Sequence, residues 1–600
     1  MTFVLLDDNR VRVGSAQLFE APEEVLEAHT PAEVPDMLRR LDMAVEAGLH
    51  AAGYLSYELG YALEPRLAPL MPASRRLPLL WLGLFRSVRH LAPAETEAWL
   101  AERDAGVACA LRDVRLDVDE AGYLDRFDVV KEKIAAGDIY QLNLTLKARF
   151  QLDGSPVALY RELRRKQRVA HGALISTSDV TLVSLSPELF VKVSDRTIET
   201  RPMKGTAPRA GTPDADAEAR AVLRRDPKQR AENLMIVDLM RNDIGRIAEV
   251  GSVHVSELFT VETYRTLHQM TSNVRARLSA GVGPSQLIEA LFPAGSITGT
   301  PKIRAMELIR ELEPGPREVY TGSIGAFMAD GSVALNVAIR TAVIHGDGAG
   351  EMGIGSGLVA DSVGLQEFAE CKLKMRFLVD PAAPFQLIET LLYDGRAGYW
   401  LLQRHLDRLA ASAAYFDFPC DLDDVRARLT QAVATALEAR LRVRLLLHED
   451  GTVTVTTAPQ PAPAGEAVMR YVVSPTPVSS ADPFLFHKTT RRQLYDSEHA
   501  IYAASHGADE VVYLNERGEL AEGSRTNIFV MRDGVLLTPP LSAGLLPGTL
   551  RSELLASGTA VEATLTPDML ATAAAVYLGN SVRGLVRAEP IQAPPRSPSK

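Results

Sequence analysis

Two regions of the 600-residue sequence concentrate side chains able to do chemistry. In VGLQEFAECKLKMRF (363–377), Glu367 and Glu370 stand three apart and Lys374 follows four later, so on a helix all three share one face. Such a row is either a solvated ion-pair stripe or a Mg²⁺ site, because a small hard cation takes a few carboxylates, keeps several waters and uses substrate oxygens for the rest. AENLMIVDLMRND (231–243) adds Glu232 on a helix face with Ile236 and Leu239. GSITGTPK (295–302) reads as a turn opening a helix, either a plain N-cap or a place where free N–H groups hold an anion. GIGSGLVADS (353–362) reads as a second glycine-rich turn, able to approach a ligand closely. The other region is different in kind. FLFHKTTRRQLYDSEHA (484–500) sets Lys488 at the end of an apolar run, and ELAEGSRTNIFV (519–530) sets Glu522 at a glycine turn before a strand. Pyridoxal phosphate needs a lysine for its carbonyl, an acid for its ring nitrogen, and cations and amides for its phosphate. Lys488 and Glu522 meet the first two needs. Arg408, the turn LLPGTLR (545–551), Asn580 and Ser581 are candidates for the third.

The elements that must position these groups are α+β throughout. Helices are expected near 31–48, 92–104, 121–137, 228–243 and 364–377, and strands over 139–150, 319–328 and 332–344. VDPAAPFQL (379–387) has the composition of a linker. After it the pattern restarts with a strand, a turn at 393–398 and a helix at 403–416. Residues 1–378 and 387–588 are the expected domains, joined by a linker at 379–386 and followed by a Pro-rich, polar, disordered tail at 589–600.

Composition narrows the partners. A formal net charge of −11 argues against nucleic acid. Three scattered cysteines give neither a disulfide framework nor a zinc pair. The start of the chain lacks the features of a signal peptide, and LPLLWLGLF (77–85) is far shorter than the ~18 apolar residues of a membrane span. A cytoplasmic protein with no membrane partner is expected.

SPELF (186–190), TRPMKGT (200–206), AENLMIVDLMRND, LHQMTS (267–272), FPAGSITGTPKIRAMELI (292–309), YTGSIG (320–325), NVAIRT (336–341) and the GIGSG segment with its E..E...K helix occur in one order. That order resembles component I of the anthranilate and aminodeoxychorismate synthases, the chorismate-utilising family. The resemblance implies a large sandwich of two stacked antiparallel sheets with flanking helices. It also implies Mg²⁺ on Glu232, Glu367 and Glu370. Lys374, Arg340, Tyr320 and the backbone of Gly355, Ser356 and Gly357 would hold the carboxylates of chorismate, with Thr298 lining the site and His268 beside the departing 4-hydroxyl. Lys204 selects the reaction: aminodeoxychorismate synthases carry lysine there and anthranilate synthases usually alanine. Its amine can add at C2 of the ring as the 4-hydroxyl leaves, and ammonia then adds at C4 as the lysine departs. An ordinary lysine is neutral only about once in 2,500 molecules at pH 7, so the site must depress its pKa. Arg201 is the cation nearest in sequence. No cysteine has the setting of a glutaminase nucleophile, so ammonia is expected from a separate glutamine amidotransferase subunit or from solution. An LLES-like segment that helps form the tryptophan pocket of relatives is here Leu5-Leu6-Asp7-Asp8, without the serine.

The second region, from RHLDRL (404–409) through KTT, EGSRTN, LPG and NSVRG, resembles the fold-type IV pyridoxal-phosphate enzymes, among them aminodeoxychorismate lyase and the branched-chain and D-amino-acid aminotransferases. By that resemblance Lys488 holds the cofactor and moves protons, Glu522 pairs with its ring nitrogen, and Arg408 with the amides of Thr549 and Leu550 binds phosphate. Relatives of this kind commonly dimerise, so a homodimer through this domain is expected. The fusion favours a lyase: the first half would make an amine that the second consumes, releasing pyruvate and 4-aminobenzoate, a folate precursor. The alternative is an anthranilate synthase component fused to an amino-acid aminotransferase.

Overall fold

The computed structural model describes residues 2–10, 14–104, 106–265, 267–379, 384–435, 440–461 and 467–591. It divides into two compact units, residues 1–207 with 220–382, and residues 208–219 with 383–600. Of the expected linker, 380–383 lie outside the described residues, as do 592–600 of the expected tail. The start of that tail is ordered. Strand Gly584–Pro590 pairs with Ala575–Asn580 on one side and Val468–Val473 on the other, and the Ile591 N–H donates to the Tyr471 carbonyl. Backbone pairing on two sides carries the strand up to the Pro-rich composition.

The first unit holds two antiparallel sheets, each of ten strands among the described residues. Toward the N-terminal strands the layer between them is apolar: Val4, Ile175, Leu182 and Val343 from one sheet meet Ala52, Tyr54, Trp81 and Ile324 from the other. Toward strand Gln141–Asp153 the layer changes character. Its neighbour Ala349–Leu358 places Gly353, Gly355 and Gly357 on alternate positions, hence on one face, and register sets Asn143 opposite Gly357 and Thr145 opposite Gly355. The glycine-rich segment is thus a strand over 353–358, and the expected turn is confined to 359–362, where the Ser362 N–H donates to the Val359 carbonyl. Ladder pairing with Leu142–Gln151 outweighs the local preference of glycine for turns.

A second expectation also changes. Residues 332–344 do not form one strand: Val333–Asn336 belongs to one sheet and Thr341–His345 to the other, so the chain crosses between sheets at 337–340. Arg340 makes the crossing with φ +51°, and its carbonyl accepts from the Leu185 N–H. The helices fall where expected. Pro227–Gly245 starts on Asp226, whose carboxylate accepts from the Gln229 N–H, with Pro227 at the first helical position. Glu120–Ala135 is capped in the same way by Asp119. Gly364–Val379 packs on it, with Tyr123 and Phe368 5.3 Å apart.

The second unit has a four-stranded antiparallel sheet, whose Leu441, Val443, Leu445 and Leu447 pack with residues of helices Leu402–Phe416 and Leu422–Ala432. Beside it lies an eight-stranded mixed sheet, parallel where Val468–Val473 meets Glu510–Leu514 and Gly584–Pro590. No helix among the described residues is long and apolar enough to cross a membrane.

One buried ion pair ties the glycine-lined layer of the first unit together. Arg317 donates to Glu313 at 2.6 and 2.8 Å, to the Asn143 carbonyl at 2.6 Å and to the Ile297 carbonyl at 3.0 Å, while Glu313 accepts from the Thr145 N–H at 3.0 Å. Removing one partner leaves an uncompensated buried charge, so Glu313→Ala is expected to cost roughly 3–5 kcal/mol. Chemical denaturation followed by a probe confined to the first unit measures this; a loss under about 1 kcal/mol would show that water or another group replaces the carboxylate.

Candidate functional site

In the first unit, Lys204 lies on the edge strand Met203–Pro208 of one sheet and faces Gly357 of the other. A β-carbon at Gly357 would overlap the Lys204 Nζ, so a larger residue there would displace the amine from this place. Helix Pro227–Gly245 braces the strand from outside: Asn233 donates to the Lys204 carbonyl at 3.3 Å and accepts from the Ser272 hydroxyl at 2.5 Å. Burial lowers the pKa of Lys204; Lys374 lowers it further, while Glu232, Glu188 and Glu370 oppose the shift. Arg201, the cation nearest in sequence, instead pairs with Glu257 and Glu262 at 2.8 and 3.1 Å.

Glu188, in SPELF, is buried and its pKa is pushed up to about 7, first by burial, against the Ser296 hydroxyl, the Lys204 charge and the Met203 N–H, which lower it. Glu232 on helix Pro227–Gly245 is also raised, chiefly by burial and further by Glu367 and Asp361, with Lys204 and Lys228 opposing. Gln141 is fully buried, and neither atom of its side-chain amide has a hydrogen-bond partner among the described residues. Its Nε2 would lie 3.4 Å from the same Gly357 β-carbon that Lys204 excludes. A buried amide without partners costs free energy until a ligand satisfies it.

The remaining predicted residues surround this point. Lys374 donates to the Gly355 carbonyl at 2.7 Å and pairs with Glu370 at 2.6 Å. Tyr320 is buried with its ring against Gly353, where a β-carbon would overlap it. Arg340 is half-buried, and burial lowers its pKa to about 10 against the opposing influence of Tyr264. Thr298 is buried, its hydroxyl donating to the Ala294 and Gly295 carbonyls and its own carbonyl accepting from the Asn143 N–H at 2.9 Å. His268 is buried, with Nδ1 3.0 Å from the Thr263 hydroxyl. Ser356 turns the other way from its flanking glycines, to the Tyr123 hydroxyl at 3.0 Å, so only its backbone faces the site. The described residues contain no group of three acidic, histidine or cysteine side chains close enough to hold a metal ion. Glu232 and Glu367 still fit Mg²⁺, which commonly takes one or two carboxylates and completes its shell with substrate and water. Glu370, on the same helix as Glu367, also pairs with Lys374.

The second unit contains a cavity of about 820 Å³ lined by Lys488, Glu522, Arg408, Thr549, Asn580 and Ser581, with other residues. Lys488 is held down to about pKa 7, by burial first and then by Arg492 and Arg408. Glu522 is raised to about 7 by burial, while accepting from the Leu546 N–H and the Tyr495 hydroxyl, both at 3.0 Å. Arg408 is fixed on Glu389 at 2.6 and 2.9 Å, and Glu389 also meets His405 Nδ1 at 2.6 Å. These two partners hold Glu389 near pKa 2 despite burial. His405 Nε2 lies 3.3 Å from the hydroxyl of Thr549, the first residue of helix Thr549–Ala556, where Thr549 and Leu550 carry free N–H groups. Asn580 shapes its turn, accepting from the Val582 and Arg583 N–H groups and donating to the Arg525 carbonyl. A lysine neutral near pH 7, a buried acid and a cation beside a helix N-terminus fit pyridoxal phosphate.

Residues 5–380 match the model of the chorismate binding enzymes. The chain belongs to that family. Residues 386–591 match the class IV amino-transferases. Among relatives of this chorismate binding enzyme, aminodeoxychorismate synthase component 1 of Salmonella typhimurium is 42% identical over 356 residues, 57% of this chain and 78% of that protein. Aminodeoxychorismate synthase of Streptomyces griseus is 42% identical over 329 residues, 52% of this chain; the match spans only 44% of that longer protein. Anthranilate synthase component I from Streptococcus pneumoniae has the same fold, with a TM-score of 0.54 at 24% identity, over 61% of this chain and 92% of that one.

Sequence reasoning on this family member missed two groups. Glu188 lay inside a motif already singled out, yet a carboxylate in SPELF has no local mark of chemistry until the second sheet closes over it. Gln141 gave no signal beyond a polar residue at a strand start. The Lys488 environment is testable directly. Its amine is neutral above about pH 7 and protonated below it. Capture of added pyridoxal phosphate by cofactor-free protein, fixed by borohydride, should therefore rise with pH through a midpoint near 7. A midpoint nearer the ordinary value of about 10.4 would contradict the burial of this amine.

Proposed function

We propose that the chain converts chorismate to 4-aminobenzoate in two steps, amination at C4 in the first unit and release of pyruvate in the second, in the cytoplasm. The observation that carries the reading is the buried Lys204 amine, its pKa lowered, seated on Gly357 beside Glu188. Direct 2-amination has no need of such a group, whereas 4-amination through a covalent intermediate requires a neutral amine over the ring.

Lys204 adds its nitrogen at C2, the ring double bonds shift, and the C4–O bond breaks. The departing hydroxyl leaves as water, with His268 as the donor beside it. Glu188 takes the proton that the new C2–nitrogen bond releases and returns it when the lysine departs. Ammonia forms the C4–nitrogen bond as the C2–nitrogen bond breaks. Arg340, Lys374, Tyr320 and the Gly355–Gly357 backbone hold the carboxylates of chorismate. Mg²⁺ on Glu232 and Glu367 would supply positive charge to the ring carboxylate. Ammonia comes from a separate glutamine amidotransferase subunit.

In the second unit Lys488 would hold pyridoxal phosphate, Glu522 would pair with its ring nitrogen, and Arg408 with the Thr549 and Leu550 amides would hold its phosphate. The cofactor supplies an electron sink for the carbon that bears the substrate amine. Lys488 removes the C4 proton, the ether bond to the enolpyruvyl group breaks as the ring becomes aromatic, and the same amine delivers a proton to the departing pyruvate. A homodimer through this unit is part of the proposal.

Incubation of the pure protein with chorismate, ammonia, Mg²⁺ and pyridoxal phosphate should yield 4-aminobenzoate and pyruvate in equal amounts. Accumulation of aminodeoxychorismate alone would remove the lyase assignment. Lys204→Ala should lower 4-amination at least about 100-fold while leaving the second step on supplied aminodeoxychorismate intact. Unchanged output would sink the covalent role. Gly357→Ala should act on the first step in the same direction, because its methyl group takes the space of the amine.

A further inference from the structure

Strand Arg440–Leu447 has two unlike faces. Leu441, Val443, Leu445 and Leu447 enter the apolar core, whereas Arg442 and Arg444 point the other way and line the Lys488 cavity. Register places Thr390 and Thr456 opposite Arg444 and Ala458 opposite Arg442, and all three line the same cavity. One face of the four-stranded sheet is therefore a wall of the cavity. The part of that face that lines the cavity presents hydroxyl and methyl groups around two guanidinium groups and carries no acid.

The two arginines are exposed to the cavity, and among the described residues neither has a hydrogen-bond or ion-pair partner. Standing two apart on one strand face, their α-carbons are about 7 Å apart, so the two charges repel until an anion lies between or against them. A planar guanidinium group offers the paired donors that a carboxylate accepts. Three other cationic side chains of the cavity are engaged, whereas Arg525 and Arg583, which also line it away from this strand, have no side-chain partner among the described residues. Arg408 is on Glu389, Arg492 is on the Ser524 carbonyl and Asp496, and Arg491 lies over the Phe484 ring. The three acids of the lining are engaged too: Asp482 accepts from the Phe484 N–H, Asp496 pairs with Arg492, and Glu522 holds Tyr495 and Leu546. No acid is left to neutralise the wall.

We propose that Arg442 and Arg444 form a carboxylate subsite that selects a ring amine bearing carboxylates remote from the reacting nitrogen. This rests on the reading given under Proposed function and deepens it. An ordinary amino acid carries its carboxylate on the reacting carbon, next to Lys488. The amine made by the first unit carries one across the ring and another on the enolpyruvyl group. The arginine wall gives those groups a partner, and so separates this substrate from amino acids by charge placement.

The test uses the holoenzyme and the double variant R442A/R444A, with the single conservative variants R442K and R444K alongside. With aminodeoxychorismate supplied, the double variant should show KM raised at least about tenfold and kcat within about threefold, the pattern of lost binding rather than lost chemistry. Its cofactor content and visible absorbance should equal those of the wild type. The lysine variants should recover part of the loss. As a probe independent of turnover, benzene-1,4-dicarboxylate should perturb the wild-type cofactor absorbance at lower concentration than benzoate, and the double variant should lose that preference. An unchanged KM together with an unchanged probe preference overturns the proposal. So does loss of cofactor, which would place the arginines on the phosphate. If the wild type fails to release pyruvate from aminodeoxychorismate, the lyase reading falls; the probe arm then still decides whether the wall binds a remote carboxylate.

Discussion

The first unit depends on the contact of one amine with one glycine. Burial is what chiefly lowers the pKa of this lysine, and the sandwich provides it where Lys204 from one sheet meets Gly357 from the other. Most of the surrounding architecture follows from keeping that place narrow and polar without filling it. Gly353, Gly355 and Gly357 remove side chains from one strand face, and the space admits the Tyr320 ring and the Lys204 amine. The Arg317–Glu313 pair then fixes the bordering backbone, through the Asn143 and Ile297 carbonyls and the Thr145 N–H, without placing a charge in the opening itself. Apolar residues would have packed this layer closed, as they do between Val4, Ile175, Tyr54 and Trp81.

What the sequence makes legible follows from how local each signal is. Lys488 and Glu522 stand in short motifs whose residue types are the demands of one cofactor, and the structure brings both to one cavity. The helices carrying Glu232, Glu367 and Lys374 are legible from periodicity and from caps such as Asp226. Glu188 and Gln141 are not, because their chemistry comes from burial against residues far away in the chain. The GIGSG segment was misleading for a related reason: glycine composition suits a turn, and only pairing with Gln141–Asp153 makes it a strand. Residues 332–344 alternate like one strand. The switch between sheets at Arg340 is set by the Leu185 partner and leaves no mark in that alternation.

The two lysines have their pKa lowered by different balances of the same forces. Burial is the largest influence on each. Around Lys488 the next contributions come from Arg492 and Arg408, which push in the same direction, and Glu389 is already held ionised by Arg408 and His405. That amine is lowered by fixed cations. Around Lys204 the next contribution is Glu232, which opposes burial; Lys374 adds to burial, and Glu188 and Glu370 oppose it. Its neutrality is therefore conditional on the charge of its neighbours. Any cation or proton taken up by Glu232 or Glu188 weakens their hold on the ammonium form and frees more of the amine. A site that binds Mg²⁺ through Glu232 would thus couple substrate binding to activation of the nucleophile. At the second site Glu389 and Glu522 oppose the shift less than Arg492 and Arg408 favour it, and those cations belong to the protein. On the proposed function, the first unit would arm its lysine as it fills, whereas fixed cations help hold the second lysine near pKa 7.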